Sequence, residues 1–162
     1  MREAPGGETA IARDWSPGVS GDGDARSRPP LDEIAETPVV AVTRTFPPVT
    51  ESVRNARLFA EECSADLHPR LKSVLVLLVS ELATNCVKHT ATDFEVSIDL
   101  YQSRAKVRVS DSDPAPPVLR DPAPTDLSGR GLRVVQQLSD DWGVDPSLNG
   151  HGKTVWFSMN LT

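Results

Sequence analysis

The segment SELATNCVKHT, residues 80–90, sets Glu81, Asn85, Lys88 and His89 into a run that is otherwise mostly apolar. At about 100° per residue on a helix, Glu81 and Asn85 fall about 40° apart, and Lys88 within about 20° of Glu81 on its other side. The three form one polar stripe. Leu71, Leu75, Leu78, Leu82 and Cys86 repeat at three or four residues. Their centre is about 100° from Glu81, so the stripe borders the buried face instead of lying opposite it, where a solvated face would be. An Asn side-chain carbonyl is a neutral hard oxygen suited to Mg²⁺, which keeps waters and phosphate ligands and takes few protein groups. A Glu one turn away can orient a hydroxyl or a water and accept its proton, and a Lys can balance phosphate charge. As a set they suit a nucleotide-phosphate site. The plainer alternative is a helix edge on which Glu81 and Lys88 are ordinary surface charges. His89, with only His68 and His151 elsewhere in the chain, suits a polar contact at a helix end better than a metal-ligand set.

A second feature is SGRGL at residues 128–132, where Gly129 and Gly131 stand at the entry to a helix beginning at Leu132. The first-turn N–H groups of a helix are free and its dipole favours anions, by about 0.3 to 1 kcal/mol per exposed charge. Glycine lets a phosphate approach the backbone, and Arg130 between the two glycines adds positive charge. Glycine at such a junction also simply makes turns. Gly152-Lys153-Thr154 looks like the end of a G-x-x-x-x-G-K-[ST] loop, but the motif needs glycine where Ser147 stands. The residues after Thr154 alternate as a strand and do not open a helix, so a P-loop is rejected.

These residues need elements to hold them. Residues 1–38 contain five of the ten glycines and five of the fourteen prolines without a sustained apolar period, which predicts a disordered tail before one domain over 39–162. VVAVTRTF (39–46) is rich in β-branched residues and predicts a strand. A helix over about 51–65 comes next, with Thr50 or Ser52 as its cap, and Pro69 opens a long helix to about His89. FEVSIDLY and AKVRVSD alternate and predict a hairpin. Residues 112–128, with five prolines and no glycine, predict a long extended loop of the kind that is often functional. A short third helix to Leu138, a short strand at 141–144, a turn at Asn149-Gly150 and a last strand with Val155, Phe157, Met159 and Leu161 on one face complete the chain. The order predicts an α/β (α+β) two-layer sandwich. Its sheet is mixed, mostly antiparallel, of about five strands, and three helices cover one face.

Net charge of −6 argues against a nucleic-acid or anionic-membrane surface. The longest apolar run, 74–79, is too short to span a bilayer, and the N-terminus lacks a secretory pattern, so a cytoplasmic protein is expected. Cys63 and Cys86 sit among apolar neighbours without metal-ligand spacing and are expected as reduced, packed thiols.

In order, a central-helix E-L-x-x-N-x-x-K-H, a strand ending in Asp111, a long loop, G-x-G-L opening a helix, and Thr154 on the last strand resemble the Bergerat-fold ATPases. That superfamily holds the gyrase, heat-shock chaperone and histidine-kinase catalytic domains. Within it, RVSDSDPAPPVLRDP, SGRGLRVVQQLSDDWGV and GKTVWFSMNL resemble the small anti-sigma-factor serine/threonine kinases of actinobacteria. The resemblance implies ATP and Mg²⁺ as cofactors, Glu81 as catalytic base, Asn85 as Mg²⁺ ligand and Lys88 as a phosphate neighbour. It further implies Asp111 as acceptor for the adenine amino group, Gly129, Arg130, Gly131 and Leu132 at the phosphates, and Thr154 near adenine. The partners it implies are a sigma factor and an anti-anti-sigma protein phosphorylated on serine or threonine, with a possible homodimer. One departure stands out: Asp111-Ser112-Asp113-Pro114-Ala115 lacks both glycines of the usual D-x-G-x-G, and Pro114 removes a backbone donor. It leaves open a kinase-inactive module that sequesters a transcription regulator with or without nucleotide. A sensor-kinase fragment is the weaker third reading, because no acceptor-histidine segment precedes the domain.

Overall fold

The computed structural model describes residues 36–113, 131–146 and 151–162. The expected tail up to residue 35, the proline-rich segment after Asp113, Gly129, Arg130 and the turn at Asn149-Gly150 lie outside the described residues. The elements run β1 (Val40–Phe46), α1 (Glu51–Cys63), α2 (Pro69–His89), β2 (Phe94–Leu100), β3 (Arg104–Asp111), α3 (Gly131–Leu138), β4 (Asp141–Pro146) and β5 (Lys153–Asn160).

The five strands form one sheet in the order β1-β2-β3-β5-β4. Every pairing is antiparallel, where the sequence predicted a mixed, mostly antiparallel sheet. The reason is topological. After β3 the chain crosses through α3 to β4 at the sheet edge, and β5 then turns back into the slot between β4 and β3, antiparallel to both. Both β3 and β5 alternate buried and more open residues along their length, the signature of a sheet covered on one face. The covered face carries Val96, Ile98, Val107, Val109, Val155 and Phe157, packed with Phe59, Leu75, Leu78, Val79 and Leu82 from the helices in one core. Register places Ser97, Arg108 and Trp156 side by side on the other face.

Local chemistry explains the helix ends. At α2, Pro69 occupies the first turn, the His68 ring accepts from the Arg70 N–H at 3.3 Å, and the helix stops where Thr90 bonds back to the Cys86 carbonyl. Helix α1 ends at Cys63, two residues before the expected end: Ser64 leaves helical geometry at φ −100° and ψ 19° while its hydroxyl donates to the Ala60 carbonyl at 2.6 Å. Thr50 sits at its N-cap without a side-chain cap bond, and Ser52 is buried instead. Glu36, at the end of the segment assigned to the tail, reaches Arg104 at 3.7 Å, and the Val39 N–H donates to the Leu100 carbonyl at 2.7 Å.

Candidate functional site

The covered face brings α2 and α3 together. Leu132 and Val135 of α3 are buried in the core, which seats the first turn of α3 against the polar stripe of α2. The fit at Gly131 is close. A Cβ there would lie 3.1 Å from Asn85 Nδ2, 3.2 Å from Asn85 Oδ1 and 3.2 Å from Glu81 Oε2. Such separations are shorter than comfortable van der Waals contact at about 3.5 Å, so glycine is what lets the helix entry approach both side chains. Glu81 and Asn85 are half-buried, and among the described residues neither is hydrogen-bonded through its side chain. Lys88, one turn further along α2, is exposed.

The arrangement is chemically specific. It joins a neutral amide oxygen, a carboxylate and the first turn of a helix, whose N–H groups have no partner within the helix and favour anions. Hard oxygens beside an anion-binding helix end fit a phosphate-bound Mg²⁺, which takes few protein ligands. Asn85 could offer its neutral oxygen to such an ion. Gly129 and Arg130 lie outside the described residues, so of the glycine turn only Gly131 and Leu132 have a described position. His89 is exposed at the end of α2, and among the described residues no group of three or more His, Cys, Asp or Glu side chains could hold a metal.

Asp111 closes the other end. It is the last residue of β3 and points to the covered face, with its side chain 3% exposed. Its Oδ1 accepts from the Asp113 N–H at 2.8 Å and from Lys153 Nζ at 3.2 Å. Its Oδ2 meets the Cys86 thiol at 4.0 Å. Cys86 comes directly after Asn85, so one turn of α2 spans the distance between the Asp111 end and the Gly131 end. Burial pushes the Cys86 thiol up to about 12, the Asp111 charge adds to the rise, and Lys153 opposes it. The thiol is therefore a protonated neighbour of the carboxylate.

Thr154 is not brought to Asp111. Register pairs Ser110 with Thr154 and Asp111 with Lys153. The Thr154 hydroxyl meets Ser110 Oγ at 2.8 Å on the uncovered face, because neighbours on a strand point to opposite faces. Lys153 holds the place beside Asp111, and the sequence reading missed it. The signal was present: Val155, Phe157 and Met159 define the covered face of β5, and residue 153 falls on it by the same alternation. Gly152 fixes this register. Its φ is +93°, and a Cβ there would lie 2.0 Å from the Asp111 carbonyl oxygen, a clash with backbone that only glycine avoids.

An antiparallel sheet covered on one face by helices, with a glycine-opened helix set on Glu and Asn of the central helix, defines a two-layer α+β domain. The family model described as "Histidine kinase-like ATPase domain" matches residues 46–159, most of the chain, and the protein belongs to that family. Among the solved structures whose fold matches is that of the RsbU and RsbW domains of Rv1364c from Mycobacterium tuberculosis. The TM-score is 0.58 at 16% identity, covering 76% of this chain and 33% of that one. The chain thus spans about a third of the length of that protein, and the likeness is one of fold. No curated protein matches it in sequence. No described helix is long and apolar enough to cross a membrane.

Proposed function

We propose that the protein is an ATP-binding anti-sigma factor with serine/threonine kinase activity toward an anti-anti-sigma partner, acting in the cytoplasm. The observation that carries this reading is Gly131 seated so close to α2 that a Cβ there would lie 3.1 to 3.2 Å from side-chain atoms of both Asn85 and Glu81. It brings a general-base candidate, a Mg²⁺-ligand candidate and an anion-binding helix entry to one point. Asn85 would hold Mg²⁺, which when bound neutralises phosphate charge. The N–H groups at Gly131 and Leu132 face the phosphates, with Lys88, Gly129 and Arg130 as further contacts. Glu81 orients the partner's hydroxyl and takes its proton as the oxygen attacks the γ-phosphorus, the bond from that phosphorus to the β–γ bridging oxygen breaks, and ADP leaves with the bridging oxygen. Asp111 receives the base through Oδ2. Family membership and the sequence resemblance to anti-sigma-factor kinases support the regulatory role and the sigma-factor and anti-anti-sigma partners.

A second reading, a nucleotide-independent sequestering module, is favoured by two features: Lys153 already pairs with Asp111 Oδ1, and the loop after Asp111 lacks the usual glycines. Calorimetric titration with ATP and Mg²⁺ separates the two. The kinase reading expects binding, loss of its Mg²⁺ dependence in Asn85→Ala, and retained binding in Glu81→Gln. A folded wild-type protein that takes up no ATP at millimolar concentration is instead the module.

A further inference from the structure

Asp111 and Lys153 together have a consequence for which nucleotide the site takes. A carboxylate standing alone is only an acceptor. It welcomes the C6 amino group of adenine and rejects the C6 oxygen of guanine or hypoxanthine, since two acceptors then face each other. Here the carboxylate is not alone. Lys153 Nζ lies 3.2 Å from Asp111 Oδ1 and 3.5 Å from the Asp113 carbonyl oxygen. An ammonium has three protons, so one is left for a ligand. Asp111 Oδ2, with only the Cys86 thiol at 4.0 Å, keeps acceptor capacity. The Lys153 side chain is also the more open member of the pair, at 12% against 3% exposure.

We propose that Lys153 is a specificity-determining residue that widens this site from adenine nucleotides to 6-oxopurine nucleotides. The inference rests on the reading of the site as a nucleotide site. The donor at Lys153 and the acceptor at Asp111 Oδ2 stand side by side. In one and the same pose the 6-position meets a matching group in either nucleotide: the O6 of a 6-oxopurine accepts from Lys153, and the amino group of adenine donates to Oδ2. Gly152, which sets β5 hard against the end of β3, holds the two side chains in this register.

The test is competition of ATP, GTP and ITP against a fluorescent ATP analogue, on wild type and on Lys153→Met. A lysine contact to a purine O6 is worth roughly 10-fold or more in discrimination. The wild type is expected to bind all three within about 10-fold of one another, and Lys153→Met to lose GTP and ITP by at least about 10-fold relative to ATP. Circular dichroism establishes that the variant is folded. If it is not, the wild-type ratios decide alone. Wild type preferring ATP over both 6-oxo nucleotides by more than about 100-fold overturns the proposal while leaving the nucleotide site standing. So does a folded Lys153→Met with unchanged ratios. Binding of none of the three overturns both.

Discussion

Cys86 is the point where a single side chain reports on the site without taking part in it. Its thiol is buried beside a carboxylate, and burial first, then the Asp111 charge, raises its pKa from an ordinary 9.0 to about 12. Above pH 9 the unfolded chain gives up this proton and the folded chain keeps it. The contribution to stability is therefore complete below pH 9 and declines as pH rises toward 12, at up to about 1.4 kcal/mol per pH unit. Cys63 is raised as well, mainly by burial, and adds a decline of the same sign. Urea unfolding at pH 8 and pH 10 is expected to show a loss of roughly 1 kcal/mol in wild type that is smaller in Cys86→Ala. Equal losses in both proteins would mean that the thiol is not held protonated by the fold.

At the scale of elements, the contact of α3 with α2 decides whether a phosphate site exists. Gly131→Ala tests it, because the added Cβ meets the ends of Asn85 and Glu81 at 3.1 to 3.2 Å. Those side-chain ends can yield, and alanine is favoured over glycine in a helix by about 1 kcal/mol. Stability is therefore expected to change by less than about 1 kcal/mol while ATP affinity falls about 10-fold, as measured by urea unfolding beside calorimetry. Unchanged affinity would take Gly131 out of the site. The same two elements show what sequence can reveal. Helix α2 was legible to its last residue, since Pro69 and the leucine period are local signals. Glu81 and Asn85 were legible as one stripe for the same reason. The seating of α3 was not, because it depends on where Leu132 and Val135 find the core. Lys153 lay within reach of simple alternation, which sets it on the covered face and Thr154, taken from the resemblance, on the other.

Across the whole molecule, the order β1-β2-β3-β5-β4 was hidden in the sequence. Inserting β5 between β3 and β4 is a choice among long-range pairings that no local period encodes. That order has a thermodynamic consequence. The candidate site draws on α2, α3 and the adjoining ends of β3 and β5, whereas β1 is at the far edge of the sheet. A ligand that binds only the folded chain at 100 times its Kd adds about 2.7 kcal/mol, which for a chain of this size is a rise of roughly 8 °C in Tm. ATP with Mg²⁺ is expected to give a rise of this order in wild type and a markedly smaller one in Asn85→Ala. Because the bound contacts cross from α2 to α3 and the start of β5, hydrogen exchange should slow most at Gly131, Leu132 and Lys153. Fraying of β1, which opens without disturbing the site, should slow little. Uniform protection of β1 and α3 would instead mean that ATP stabilises only the global fold, and a rise in Tm with no local slowing at α3 would move the binding site away from Gly131.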